Sequence, residues 1–330
     1  SKKKRKRSKS PLGIGSGLFG ISFEKEGGKA YMQYSTFAAI DIGSYDVILE
    51  IFEISKKQGI RSVDKICHRM ELGKDTYTLG KIRPEMEEEL CRVLADFVRI
   101  MEGYRVDDYR ATASSAISEA SNSLYVLGKI HQLTGFSVTV LSNSEQRFLS
   151  YKALAAMEDN FNKIIEKGTA ILDLDGGSFQ ISLFDKDALV TTQNIRMGSL
   201  RIRERLAGIQ SETEHYEEMV EELIWNEVSS FKKMYLKDRK IENIMLIGDV
   251  FTDSVYQNIE EKTTKIISRE NFNTWYEKII RQSPMELAVK LGIPLENASL
   301  MYPSAVIYKC LIDMMGAEHI WIPGVHMTRG

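Results

Sequence analysis

Two stretches of this 330-residue chain repeat one another: FAAIDIGSYDVILEIF, residues 37–52, and GTAILDLDGGSFQISLFD, residues 168–185. With Asp41 set against Asp173, 132 positions later, Ile40 meets Leu172, Ile42 meets Leu174, Leu49 meets Ile181 and Phe52 meets Phe184. Each copy reads as an apolar strand, a tight turn of an acid with glycine and serine, and a second strand. A lone Asp–Gly turn would merely close a hairpin. Two copies in one register ask for more. Glycine lets backbone N–H groups approach an anion with no Cβ in the way, and such turns form nests for phosphate. An aspartate at the strand end faces the same space, where its carboxylate can hold Mg²⁺ directly or through water. The repeat therefore predicts a duplicated cleft that grips a phosphate chain from both sides.

The length suits two domains better than one core. Strands followed by helices, twice over, predict an α/β architecture with two related lobes. In the first lobe SVDKICHRMEL reads as a third strand and RPEMEEELCRVLADFVRIMEGY as a helix. Pro84 stands near its first turn, acids follow at 85 and 87–89, and Leu90, Leu94, Phe97 and Met101 make one apolar stripe. DYRATASSAISEASN supplies a strand end, a loop of small residues and a helix start. FSVTVLSNSEQRFLSYKALAAM is a strand and then a helix, with Ser142 and Glu145 at capping-box spacing. In the second lobe VTTQNIRMGSLRI reads as strand and turn, SETEHYEEMVEELIWNEVSSFKKMYLKD as a long amphipathic helix, and NIMLIG as a buried strand. The C-terminal third is mostly helical and closes on a short strand at HIWIP. The boundaries that follow are a flexible basic arm over 1–35, a first lobe over 36–158 and a second over 159–330. The last helix is given the option of returning to the first lobe.

Composition excludes several classes. With 43% hydrophobic and 27% charged residues the chain is an ordinary folded one. The segment SKKKRKRSKS carries seven of the 44 basic residues and no acid, so the remainder holds 37 basic against 46 acidic side chains, a net of −9. The arm reads as a solvated tail, and nucleic acid or anionic lipid would enter only through it. No run of about 18 apolar residues is present to span a membrane, and no secretory signal is evident, so a cytoplasmic location is expected. Cys67, Cys91 and Cys310 lack metal-like spacing and sit in apolar stretches, which predicts reduced, buried thiols. The five histidines are scattered, which argues against zinc.

The two turns resemble the phosphate loops of the actin, sugar-kinase and heat-shock ATPase superfold. Nearly the whole chain from Phe37 resembles, more closely, the exopolyphosphatase/guanosine pentaphosphate phosphohydrolase (Ppx/GppA) family. AAIDIGSYDVIL is similar to that family's AAIDIGSNS, MELGKDTYTLGKIRPEMEEEL to its RLG…G…LS-x-E segment, and ASSAISEASN to ATSAxREAxN. VLSNSEQRFLSY is similar to VLSGxEEAxLxY, LDLDGGSFQIS to IDIGGGSTEL, RMGSLRI to LGxVRL, and LGIPLENASLMYPSAVI to GLPxxRADxIxxGxxI. The resemblance implies two actin-like (ribonuclease H-like) lobes about a central cleft. It also implies Mg²⁺ as cofactor, a phosphorylated ligand such as polyphosphate, a guanosine phosphate or a nucleotide, and pairing as a homodimer, although no stripe of the sequence marks an interface.

Matched residue by residue, the frame persists while the chemistry thins. The metal-type carboxylates fall on Asp41 and Asp173, and the phosphate-binding positions on Gly43, Ser44, Gly176, Gly177, Ser178 and Gly198. The family's water-activating Glu matches Gln146, which takes no proton at neutral pH, and the Glu of its GGSTE motif matches Gln180. Its phosphate-gripping Arg matches Ser118, removing a fork of charged donors. The Asn and Ser of the first loop match Tyr45 and Asp46, and the first glycine of the second matches Asp175. Glu145 is the one candidate substitute base, although helix geometry turns it roughly 100° from its neighbour. Two readings follow. One is a Ppx/GppA-like protein with weak or lost hydrolase activity that binds a phosphorylated ligand. The other is an active exopolyphosphatase or guanosine pentaphosphate phosphohydrolase in which Asp46 or Asp175 joins Asp41 and Asp173 around the metal.

Overall fold

The structure is a computed structural model that describes residues 34–157, 161–207, 216–237, 239–248, 251–252, 254 and 266–323. The basic arm lies outside the described residues. The first lobe opens with β1 (Ser35–Ile42), β2 (Asp46–Ser55) and β3 (Gly59–Arg69), a three-strand meander. Helices α1 (Leu72–Leu79) and α2 (Pro84–Tyr104) follow, then β4 (Asp108–Ala113), the short α3 (Ser115–Ser118), α4 (Ser123–Thr134), β5 (Val138–Val140) and α5 (Asn143–Met157). The sheet order is β3-β2-β1-β4-β5, with β4 and β5 parallel to β1.

The second lobe repeats the plan. After α6 (Phe161–Ile165) come β6 (Thr169–Leu174), β7 (Phe179–Asp185) and β8 (Ala188–Ile195), again an antiparallel meander. Then follow α7 (Ser199–Leu206), α8 (Tyr216–Phe231), β9 (Asn243–Ile247), β10 (Ile266–Ser268), α9 (Arg269–Ile280), α10 (Pro284–Leu291), α11 (Leu295–Met315) and β11 (His319–Trp321). The described strands order as β10-β11-β9-β6-β7-β8, with β9 parallel to β6. Register makes the duplication concrete. Asp41 lies opposite Ile48 and Thr112, and Asp173 lies opposite Gln180 and Ile247.

The apolar runs are buried because the central strands are covered. In β6, Ala170, Leu172 and Leu174 face a core built with α7, α8 and α11, while Ile171 faces another with Tyr151, Leu154 and Phe184. In β1, Ala38, Ile40 and Ile42 pack on Leu90, Leu94 and Phe97 of α2. Each such side chain stabilises its lobe by about 1.5–3 kcal/mol. Pro84 begins α2 as its N1 residue, and Arg105 ends it in the left-handed region, its N–H bonded to the last carbonyls.

Several expectations need correction. The end of the segment expected as strand and turn, Ser199 to Ile202, belongs instead to helix α7, because Leu200, Ile202 and Leu206 are buried on it. The segment LGKDTYTL, left without an element, is α1. The buried length of helix α11, Ala298 through Met315, joins the second core, and its N-terminal part, through Leu300, lies beside Tyr45 and Arg69. Cys91 is buried and Cys310 partly so, but Cys67 is exposed, because β3 is an edge strand with one open face. No helix among the described residues is long and apolar enough to cross a membrane.

Candidate functional site

The site is built where the two equivalent turns meet. In the first, the Gly43 N–H donates to the Asp46 carbonyl at 2.9 Å, closing the turn between β1 and β2. The carbonyls of Ser44 and Tyr45 accept from the Gly73 and Met70 N–H groups at 2.7 and 3.1 Å, so the entrance to α1 holds the loop from behind. In the second, the Asp175 N–H donates to the Ser178 carbonyl at 2.9 Å. Behind that loop, the start of α7 spends its N–H groups on protein: Ser199 donates to the Asp175 carbonyl and Arg201 to that of Gly176. A Cβ at Gly198 would lie 2.3 Å from the Asp175 carbonyl oxygen, so only glycine permits that approach.

The loops touch, and this determines what the cleft contains. A Cβ on Gly176 would stand 3.0 Å from the Ser44 Cβ and 3.1 Å from the Tyr45 ring. Tyr45 leaves its own lobe and packs in the second core, with the Arg69 guanidinium 5.5 Å from its ring centre. Tyr77, from α1, lays its hydroxyl between the lobes, 2.8 Å from the Ser44 hydroxyl and 2.9 Å from that of Ser115. The Arg201 guanidinium stacks 3.8 Å from the Tyr77 ring centre, donates to the Gly177 carbonyl at 2.8 Å and pairs with Glu119 at 2.9 Å. Beside it Arg203 grips Glu71 with two bonds of 2.7 Å. Sequence reasoning missed Tyr77, Ser115 and Arg201. Tyr77 falls on an unspecified position of its matched segment, whereas Ser115 and Arg201 fall on the Ser of ATSAxREAxN and the Arg of LGxVRL, signals that could have marked them.

Four carboxylates share the cleft's field. Asp41, Asp173 and Asp175 are deep in protein although each keeps some surface open to solvent. Burial raises the Asp41 carboxyl to about 8, helped by the charges of Asp46 and Asp175. Burial raises Asp175 to about 7, again with Asp46 and Asp173 adding repulsion, and raises Asp173 to about 6. Every one has a protein partner. Asp173 accepts from the Ser150 hydroxyl at 2.7 Å, Asp46 pairs with Arg69 at 3.1 Å, and the Thr112 hydroxyl lies 3.5 Å from Asp41. Asp175 accepts from the Gly176 N–H at 2.6 Å, and the Gln146 side chain near it favours its charged form. No three acid, histidine or cysteine side chains among the described residues converge on one point, so a Mg²⁺ here would rest on one or two of these carboxylates, Asp41 and Asp173 foremost, and on the ligand's own phosphates.

The remaining predicted positions divide. Gln180 is buried beside Asp173 in register, and Ser178 accepts from the Asn194 amide at 3.3 Å. Ser118 ends α3 exposed. Glu145 is also exposed, its carboxylate accepting from the Ser142 N–H at 2.9 Å and hydroxyl at 2.7 Å. Those bonds lower its pKa and make it the capping-box partner of Ser142 at the start of α5, a poor substitute base.

Comparison with known proteins fits this geometry. The profile of the Ppx/GppA phosphatase family matches residues 50–327. The chain is 21% identical over 310 residues to a bifunctional 3-dehydroquinate synthase/phosphatase of Fusobacterium nucleatum, covering 86% of this chain and 44% of that one. To Exopolyphosphatase 1 of Mycobacterium leprae it is 25% identical over 144 residues, 43% of this chain and 41% of that one. It thus spans less than half the length of these curated relatives. Among solved structures, the Ppx/GppA family member of Aquifex aeolicus superposes with a TM-score of 0.71 at 18% identity, covering 90% of this chain and 95% of that one. An exopolyphosphatase from Cytophaga hutchinsonii gives 0.79 at 17%, covering 89% and 96%.

Proposed function

Because the chain belongs to the Ppx/GppA phosphatase family, we propose that it binds a phosphorylated ligand in the interlobe cleft and hydrolyses it weakly or not at all. The ligand class is polyphosphate, a guanosine phosphate or another nucleotide. One observation carries this reading: the position of the family's water-activating glutamate is Gln146, and the nearby Asp175 carboxylate is itself bonded to the Gly176 N–H. A protein carboxylate thus takes the loop donor that a phosphate oxygen would use, and an amide cannot accept the water's proton. Loss of a positioned base costs about 10²–10⁴ in rate, and loss of an electrostatic stabiliser about 10²–10³.

The test pairs turnover with binding. Purified protein is expected to release little phosphate from polyphosphate or guanosine pentaphosphate, with or without Mg²⁺. At least one of polyphosphate, guanosine phosphates, ATP and ADP is expected to raise its melting temperature with concentration. Release at about 1 s⁻¹ or faster, ordinary for an enzyme, overturns the reading.

A second reading draws on the carboxyl of Asp175, raised to about 7 in the cleft, which is the profile of a general base near neutral pH. On that reading the protein is an active phosphoanhydride hydrolase and Asp175→Asn abolishes turnover. On the first, it does not lower it.

A further inference from the structure

Over Gly177, where the loop is bare of side chain, another residue has moved in. A Cβ built on Gly177 would lie 2.1 Å from the Tyr77 hydroxyl oxygen and 2.3 Å from that of Ser115. The glycine's open face is therefore filled by the first lobe. Tyr77 is well held there. Its hydroxyl exchanges hydrogen bonds with Ser44 and Ser115, its ring carries Arg201, and Arg201 is fastened to Glu119 and the Gly177 carbonyl. Burial and the charge of Asp175 push the phenol up to about 12, so it stays a neutral donor at working pH.

We propose that Tyr77 is a specificity-determining residue of the cleft, its phenol standing where a ligand's phosphoryl group must go, so that only a ligand that displaces it is bound. The inference rests on the reading that this cleft takes a phosphorylated ligand. Displacement exposes what the phenol now covers: the hydroxyls of Ser44 and Ser115 and the fork of Arg201, two neutral donors and a planar cation suited to phosphoryl oxygens. The bonds lost to Tyr77 are then replaced by bonds to the ligand. The binding-competent fraction of the protein is smaller by the strength of the latch, and apparent affinity falls by the same factor.

The experiment measures binding of inorganic tripolyphosphate by calorimetry to the full chain, to Tyr77→Phe and to Tyr77→Ala. Amide exchange of residues 173–178 is followed in the same three proteins without ligand. Tyr77→Phe keeps the ring and its stack on Arg201, so it guards against a variant that fails to fold. Expected are an affinity gain of about tenfold in Tyr77→Phe, a larger one in Tyr77→Ala, and faster exchange at Gly177 and Ser178 in both. Equal or weaker binding in folded variants, beside measurable binding by the unaltered chain, overturns this inference and leaves the proposed function standing. Absence of tripolyphosphate binding in all three proteins overturns this inference, and the proposed function falls with it only if guanosine phosphates, ATP and ADP also leave the melting temperature unchanged.

Discussion

The two turns share a backbone and differ in what fills them. In loop one, Asp41 to Asp46, Tyr45 crosses into the second core. Loop two, Asp173 to Ser178, has glycine at 176 and 177 and places its own Asp175 on the Gly176 N–H. Duplication thus preserved the hairpins, which are set by strand pairing, while the residues at their tips diverged. The contrast teaches that a phosphate-loop frame persists on packing alone, because Ile40, Leu172 and their neighbours are held by the cores and not by a ligand.

Restoring loop two should have the largest effect. Gln146→Glu combined with Asp175→Gly returns the family's base and its first loop glycine. Phosphate release from polyphosphate is expected to rise by about 10²–10⁴ over the unaltered chain. No rise would mean that loop two does not limit phosphate release, and would direct attention to Tyr45 and loop one.

The acids supply a second, smaller difference. Asp41 titrates at about 8 in the folded protein against an ordinary 3.8, so between those values the native state holds a proton that the unfolded chain has released. Stability from this group is complete below pH about 4 and is lost as pH rises toward 8. Asp175 acts with the same sign up to about 7 and Asp173 up to about 6. The upper bound is about 1.4 kcal/mol per pH unit for each group, reduced by the solvent that reaches all three. The melting temperature should therefore fall from pH 5 to pH 8, and Asp41→Asn should flatten the fall and raise the value at pH 8. A flat profile in the unaltered chain would show that the first loop's acid is solvated after all.

The smallest effect tests the helix that carries Gln146. Ser142→Ala removes the cap of α5 and should cost about 0.5–2 kcal/mol in denaturant unfolding, with no change in phosphate release. A change in release would place Glu145 in the chemistry.

Much was legible in the chain itself. Alternation around Asp41 and Asp173, the stripe and Pro84 of α2, and the Ser142–Glu145 pair are local patterns that follow from strand and helix periods, so the chain itself displays them. Helix α1 escaped because its buried residues Leu72, Gly73, Asp75 and Thr76 include polar ones whose burial is met by distant partners. Asp75, for example, takes Arg83 through backbone and side chain at 2.9 Å each. Ser118 was read from its motif position, yet it ends exposed.

What the amino-acid order alone determined is the duplicated α/β frame and the identity of the residues at each loop tip, since both follow from periodicity and register within a few residues. Only the tertiary structure decided that the tips touch. The placement of Tyr77 over Gly177 and the stacking of Arg201 on its ring join residues 100 and 124 positions apart in the chain. Such contacts depend on how two separately folded lobes close on each other, and no local pattern of side chains encodes that angle.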